Sequence, residues 1–313
     1  MSRCLFCYRP LAENEQDFHA SCSRKMFGQS YAPSLNYSEE DLEPLARQVI
    51  QSQTAVTGVQ AKLSLHLTDS NTADMRKKFT IVGLWGGYIL KPPTSLYPQL
   101  PEVEDVTMHL AEVARIKTAP HSLIRMKSGN LAYITSRMDR TKKGKLAMED
   151  MCQLTERLTE DKYQGSYEQI AKTLLKYSTT PGLDVVNFFE MVLFSFITGN
   201  ADMHLKNFSL LDQPGMGMTL SPAYDLVNTA LVNPADDEEM ALNLNGKKKK
   251  IKKQDFIAAM NTLNVDEKQQ QNIFNKMEKA FPKWVRVIEE SFLNKTLQEQ
   301  YKSIILERLN RLR

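Results

Sequence analysis

Residues 184–199, DVVNFFEMVLFSFITG, are apolar on nearly every helical face. A surface helix carries one apolar stripe, whereas a helix apolar all round must be covered on every side. This chain therefore needs a helical layer wrapped around a central buried helix. The preceding SYEQIAKTLLKYS (166–178) has a single apolar face at helical spacing, and 254–313 holds three further helical segments rich in Lys, Glu and Gln. From about residue 148 onward the chain reads as helical. With 313 residues, 42% of them hydrophobic, two lobes are expected rather than one pair of layers.

The first half has a different period. Residues 39–53 carry Leu42, Leu45, Val49 and Ile50 at helical spacing, but AVTGVQAKLSLHL (55–67) alternates, with Val59, Leu63, Leu65 and Leu67 among polar partners. FTIVG and GYILK follow, then a helical EDVTMHLAEVARI (104–116) and a strand-like GNLAYITSRMDR (129–140). Gly-bearing turns between them suggest antiparallel strands. The expected class is α+β, with residues 1–28 a Cys/His segment, 29–140 a small strand-rich lobe opening with a linker (29–40), and 141–313 a mainly helical lobe. A ligand cleft is expected between the lobes.

Net charge is +3, too mild for a dedicated nucleic-acid binder. There is no apolar run of membrane-spanning length, and MSRCLFCYRP has no apolar signal region. A cytoplasmic protein is expected, with no membrane partner.

Three of the four cysteines fall within the first 22 residues. Shuffling would cluster them so about once in a thousand trials. Cys4 and Cys7 form one close pair, and His19 and Cys22 another. Two such knuckles suit a tetrahedral, structural Zn2+ site, and thiolates favour zinc over oxygen-seeking ions. The alternative is small buried hydrophobes with a surface histidine.

Behind the apolar helix comes GNADMHLKNFSLL (199–211). Asp202 followed five residues later by Asn207 suits phosphoryl transfer to a hydroxyl. The Asp takes or orients the hydroxyl proton, and the Asn amide oxygen holds magnesium. Asp225, in SPAYDLVNT, is a second metal carboxylate if the intervening segment forms a hairpin. Phosphate grips would come from the strand lobe. The turn Thr57-Gly58-Val59-Gln60 before Lys62 could present backbone N–H groups, although GxGxxG is absent. Lys91 ends a strand in GYILKPP, and Glu104 is its expected partner, with Glu102 the alternative. Taken singly, these are turn aspartates, an edge lysine and first-turn helix acids.

GNADMHLKNFSLL, SPAYDLVNT, TGVQAKLSL, YILKPP and MEDMCQL together resemble the HipA-type toxin serine/threonine kinases, in the family's order and over roughly residues 45–300. The Cys/His start followed by CSRKMFG resembles short members like the toxin subunit of three-part HipBST systems. The resemblance implies a two-lobed kinase-like fold, ATP and Mg2+. It makes Asp202 the catalytic base and Asn207 and Asp225 the magnesium ligands. Lys91 would contact the ATP phosphates, with Lys62 and residues 57–61 closing over them. Strand 131–138 would be the hinge, with Ser136 and Met138 near adenine. His204 would face phosphate or fix the loop, with Lys206 its rival. The implied target is a translation component such as an aminoacyl-tRNA synthetase. The implied restraint is a HipB- or HipS-type antitoxin, with indirect DNA association through it. Members usually carry an autophosphorylated serine before the TGVQ-like turn. Here Ala55 aligns with it, leaving Thr57 and Thr54 as candidates.

Two other readings stand beside this one. The same carboxylates serve a small-molecule kinase. A non-catalytic, zinc-anchored module binding DNA or an antitoxin would use KKKKIKK (247–253), which otherwise reads as a solvated loop.

Overall fold

The computed structural model describes residues 2–42, 44, 62–69, 77–82, 86–141 and 143–313. The chain divides into two compact units. One comprises Met1–Asp105, Ala119–Met138 and Glu290–Leu293, the other Val106–Thr118, Asp139–Glu289 and Asn294–Arg313.

The first unit is built on a five-stranded antiparallel sheet. After helix α1 (Ala20–Phe27) come β1 (Leu63–Thr68), β2 (Lys78–Val82) and β3 (Tyr88–Lys91), then helix α2 (Leu100–Val113), of which only the part through Asp105 belongs to this unit, β4 (His121–Arg125) and β5 (Leu131–Ser136). Spatial order is β2-β1-β3-β5-β4. Leu63 lies opposite Leu90, Leu90 opposite Ile134, and Lys91 opposite Tyr133. Side chains alternate across a strand. Leu63, Leu65, Leu90, Ala132 and Ile134 therefore share one face, and Lys91, Tyr133, Leu123 and His121 share the other.

The N-terminal segment packs on the first of these faces. Leu5, Phe18, Met26, Phe27 and Leu35 form one buried cluster with the sheet's leucines. Phe27 meets Phe79 edge-on at 5.8 Å. This segment also covers both sheet edges. Leu123 N–H donates to Leu5 O (3.3 Å) beside β4, and Phe79 N–H donates to Ser34 O (3.0 Å) beside β2. Residues read from the sequence as a linker thus satisfy an edge strand that would otherwise present unpaired backbone groups.

Two boundaries differ from the sequence reading. Helix α2 begins at Leu100, four residues before the expected start. Its Pro101 suits a first turn, where no intrahelical N–H is needed. Strand β4, HSLIR, was not foreseen; it is too short to show a period, and its first four residues are buried.

The second unit contains the expected central helix. Short β6 (Arg140–Thr141), β7 (Gly144–Lys145) and β8 (Met148–Asp150) lead through α3 (Met151–Leu154) to α4 (Tyr167–Tyr177) and α5 (Pro181–Ile197). Rings of α5 meet neighbours on several sides: Phe188 against Phe208 (5.0 Å), Phe194 against Trp284 (5.7 Å) and Phe196 against Phe256 (5.6 Å). That explains an all-round apolar helix without any membrane. Among the described residues no helix is long and apolar enough to cross one.

The region is not wholly helical. β9 (Ser209–Gln213) and β10 (Gly217–Leu220) form the expected hairpin, and β8 adds to β9 as a third strand. The three-residue β8 is specified by its pairing with Ser209–Leu211, not by its own sequence. Helices α6 (Thr229–Val232), α7 (Lys253–Asn261), α8 (Glu267–Glu290) and α9 (Lys295–Arg311) complete the chain.

Candidate active site

Hydrogen bonds fix the loop after α5 at several of its polar positions. Gly199 turns the chain with φ of 78°, and a Cβ there would lie 2.5 Å from Asn228 Oδ1. Asn228 Oδ1 is already committed as the cap accepting Leu231 N–H (2.8 Å). Asn200 Oδ1 accepts Asp202 N–H (3.0 Å), and Ala201 N–H donates to Thr229 Oγ1 (2.8 Å). Asp202 O then accepts His204 N–H and the Asn207 side-chain amide, each at 2.8 Å. Met203, Leu205 and Phe208 are almost fully buried and anchor the other side. The alternation of polar and apolar residues is thus a loop whose apolar side chains hold its polar ones in place.

Asp202 is neither a helix cap nor buried; its side chain is 43% exposed. Asn207 is buried. Its Nδ2 is spent on Asp202 O, so the amide oxygen is the atom left for a cation. His204 is buried, with Nε2 4.0 Å from Asp202 Oδ1.

Tyr163 was not singled out by the sequence. Its hydroxyl donates to Asp202 Oδ1 (2.6 Å), and its ring meets His204 edge-on at 5.0 Å. Burial, followed by the negative charges of Asp202 and Asp225, pushes this phenol well above the usual tyrosine range. It therefore stays protonated and remains a donor at neutral pH. Of these two carboxylates only Asp202 is bonded to the hydroxyl. A lone Tyr in the polar DKYQG stretch offered no sequence signal for this.

Asp225 has a left-handed backbone with φ of 60°. The preceding Tyr224 accepts from Ser209 Oγ (2.6 Å) and donates to Lys206 O (2.9 Å), tying the Asp225 segment to the loop. Lys206 Nζ pairs with Asp150 Oδ2 (2.8 Å). Asp150 also caps α3 in a reciprocal box with Gln153. The MEDMCQL motif thus supplies a helix cap and an anchor for Lys206, which is held by that acid.

In the first unit, Lys91 Nζ is ion-paired with Glu104, both nearly fully buried. Lys91 also lies 5.4 Å from the centroid of the Tyr133 ring. Glu104 sits in the second turn of α2, not the first, so an exposed helix-dipole role does not describe it. Lys62 precedes β1 and is exposed. Ser136 ends β5, and its N–H donates to Pro120 O (2.8 Å). Met138 is the last residue of its stretch before the chain passes to the second unit. Thr54, Ala55, Thr57, Gly58, Val59 and Gln60 lie outside the described residues.

The N-terminal ligand atoms of Cys4, Cys7, His19 and Cys22 all lie within 4.8 Å of one another. His19 Nδ1 is 3.5 Å from Cys7 Sγ and 3.7 Å from Cys22 Sγ. Zinc bond lengths in a tetrahedron require N···S of about 3.6 Å. His19 Nε2 lies 3.0 Å from Pro10 O. A proton on Nε2 donated to that carbonyl leaves Nδ1 as the ligand atom, the orienting arrangement typical of metal-bound histidine. The residues fit zinc. Tyr8, directly after the knuckle, has φ of 61°, a conformation costing a non-glycine residue roughly 1–2 kcal/mol.

The lysine run is not an open basic patch. Lys247 pairs with Asp255 (2.7 Å), Lys248 with Glu238 (3.4 Å) and Lys249 with Asp237 (2.5 Å). Neighbouring acids thus engage three of its lysines.

A strand-rich unit with a buried lysine–glutamate pair, and a mainly helical unit with an Asp-x4-Asn loop and a later aspartate, place the chain in the kinase-like class. Its structure is similar to HipA of Shewanella oneidensis, solved with HipB and operator DNA. That match has a TM-score of 0.68 and 22% identity, over 85% of this chain and 70% of that one. It is also similar to the proinflammatory kinase CtkA of Helicobacter pylori, with a TM-score of 0.54 and 16% identity, over 72% of this chain and 87% of that one. The chain belongs to the HipA-like C-terminal domain family, whose model matches residues 54–285. A Haemophilus influenzae protein named "Putative kinase" is 27% identical over 250 residues, 74% of this chain and 69% of its own. Y4dM of Sinorhizobium fredii, of the same designation, is 31% identical over 207 residues, covering 62% of this chain. The chain spans about half the length of Y4dM and of the similarly named Y4mE, at 49% and 46% of them.

Proposed function

We propose that this protein is an ATP-dependent serine/threonine protein kinase and the toxin of a toxin–antitoxin pair. The observation that carries the catalytic part is the loop 199–208. It holds Asp202 accessible and Asn207 buried, and Tyr224 ties the neighbouring Asp225 to the same loop through Lys206 O and Ser209 Oγ. Asp202 accepts the proton of the acceptor hydroxyl, which takes the place of the Tyr163 hydroxyl at the carboxylate. Asn207 and Asp225 would hold Mg2+; both offer the oxygen donors it prefers. Bound there, the ion would neutralise charge on the transferred phosphoryl group. In the strand-rich unit, Glu104 orients Lys91 toward the ATP phosphates.

The toxin role rests on family membership and on the likeness to a HipA solved with HipB and operator DNA. By that analogy the partner is a HipB- or HipS-type antitoxin, and the target a component of translation such as an aminoacyl-tRNA synthetase. The Cys4/Cys7/His19/Cys22 set would hold a structural Zn2+, since four protein ligands leave no open position.

Asp202→Ala tests the catalytic assignment. Purified variant should bind Mg-ATP like the parent and lose phosphotransfer by a factor of about a hundred or more. Transfer at the parental rate would remove Asp202 from its role. Phosphoproteomics of cells expressing parent or variant would then identify the target, and growth arrest by the parent alone would support toxicity.

A further inference from the structure

Asp105, the residue after Glu104, is fully buried and is bonded from two sides. Tyr8 Oη donates to its Oδ2 (2.6 Å), and His121 Nδ1 lies 2.8 Å from its Oδ1. All three residues belong to the strand-rich unit, as do Lys91 and Glu104. Successive helical residues point about 100° apart, given 3.6 residues per turn. Glu104 and Asp105 thus pin α2 in two directions, one toward β3 and one toward β4 and the N-terminal segment. Two fixed directions determine the rotation of a helix about its axis, and that rotation decides where the Glu104 carboxylate meets Lys91.

Tyr8 links this second anchor to the Cys/His centre. It immediately follows Cys7, and its N–H closes the knuckle by donating to Cys4 O (2.9 Å). Its left-handed backbone turns the side chain out of the knuckle, and the ring packs edge-on against Phe292 at 5.4 Å. The hydroxyl and the ring thus leave it little freedom independent of the metal-ligand set.

We infer that Tyr8 and Asp105 are positioning residues that transmit the placement of the Cys4/Cys7/His19/Cys22 centre to the Lys91–Glu104 pair, so that the centre controls the grip on ATP phosphates. This rests on the kinase reading of Lys91. The centre is then more than a staple for the N-terminus; the phosphate-binding geometry depends on it.

Calorimetric titration of the full chain tests this, with ATP and Mg2+ in one arm and adenosine in the other. Adenosine has no phosphates, so a defect in the Lys91 grip weakens ATP alone. Lys91→Ala, Tyr8→Phe and Cys7→Ser should each weaken ATP roughly tenfold and leave adenosine within about twofold, a coupling of ordinary size. A general structural lesion would move both ligands together. Equal losses for ATP and adenosine in Tyr8→Phe, or no loss, would overturn the coupling. If Lys91→Ala itself spares ATP, the phosphate role of Lys91 falls, and the coupling with it. If Tyr8→Phe is selective and folded Cys7→Ser is silent, the centre is removed from the chain of control. Should Cys7→Ser fail to fold, Tyr8→Phe decides, because it deletes one oxygen atom.

Discussion

Glu104→Ala should destabilise the strand-rich unit far more than an ordinary ion-pair deletion. Lys91 and Glu104 are 4% and 2% exposed, so neither charge retains much water. Removing one member of a buried pair typically costs about 3–5 kcal/mol, because the other charge is left uncompensated. An exposed pair would cost about 1 kcal/mol at most. The Tyr133 ring, 5.4 Å from Nζ, faces Lys91 in parent and variant alike, so its cation–π contact leaves the difference unchanged. A cost of about 3–5 kcal/mol follows. Hydrogen exchange followed by mass spectrometry reads this locally, in peptides covering Tyr88–Lys91 and Leu131–Ser136. Their slowest amides should exchange roughly a hundred- to several-thousandfold faster. Replacing both partners, as Lys91→Met with Glu104→Leu, should recover most of the protection, since no charge is then stranded. Both variants should nevertheless lack phosphotransfer. A loss under about 1 kcal/mol for Glu104→Ala, or a double variant no better protected than the single, would refute the claim that this pair is buried and coupled.

Gly199→Ala forces a side chain into a left-handed position and against the committed Asn228 cap. It should lower Tm by about 2–8 °C and slow phosphotransfer, because Asp202 lies three residues on. Metal analysis should find about one zinc per chain, lost in Cys4→Ser together with protection of the N-terminal segment. Glu239 is lowered: burial alone would raise it, but the Arg311 guanidinium (2.7 and 2.9 Å) and the Ile251 N–H prevail. A depressed carboxyl contributes stability above its unfolded value of about 4.3, and that stability is lost as pH falls through the folded value. Urea unfolding of Glu239→Gln should therefore vary less with pH below about 4 than that of the parent.

Where chemistry is written in contiguous residues, the sequence by itself was informative. The all-round apolar run 184–199 required a covered helix, and the structure covers it with Phe208, Trp284 and Phe256. The spacing of Asp202 and Asn207 is local, so a single turn brings both into one loop. The Gly-bearing turns and alternating runs announced antiparallel strands. The knuckle spacing of Cys4, Cys7, His19 and Cys22 announced a cluster, because close pairs need little chain to converge.

Tertiary structure decided everything that depends on distant pairing. β8 is a strand only because β9 lies beside it, and β4 only because β5 does. The Lys91 partner could be Glu102 or Glu104 by sequence; the rotation of α2 selects Glu104 and buries it. Tyr163 reaches Asp202 across 39 residues, and Tyr8 reaches Asp105 across 97. No periodicity encodes such contacts, since each is set by how whole elements pack. The ion pairs of the lysine run were not legible, because the acids at 237–238 that face it are separated from it in sequence. Local spacing fixed which groups are available, and packing fixed which of them meet.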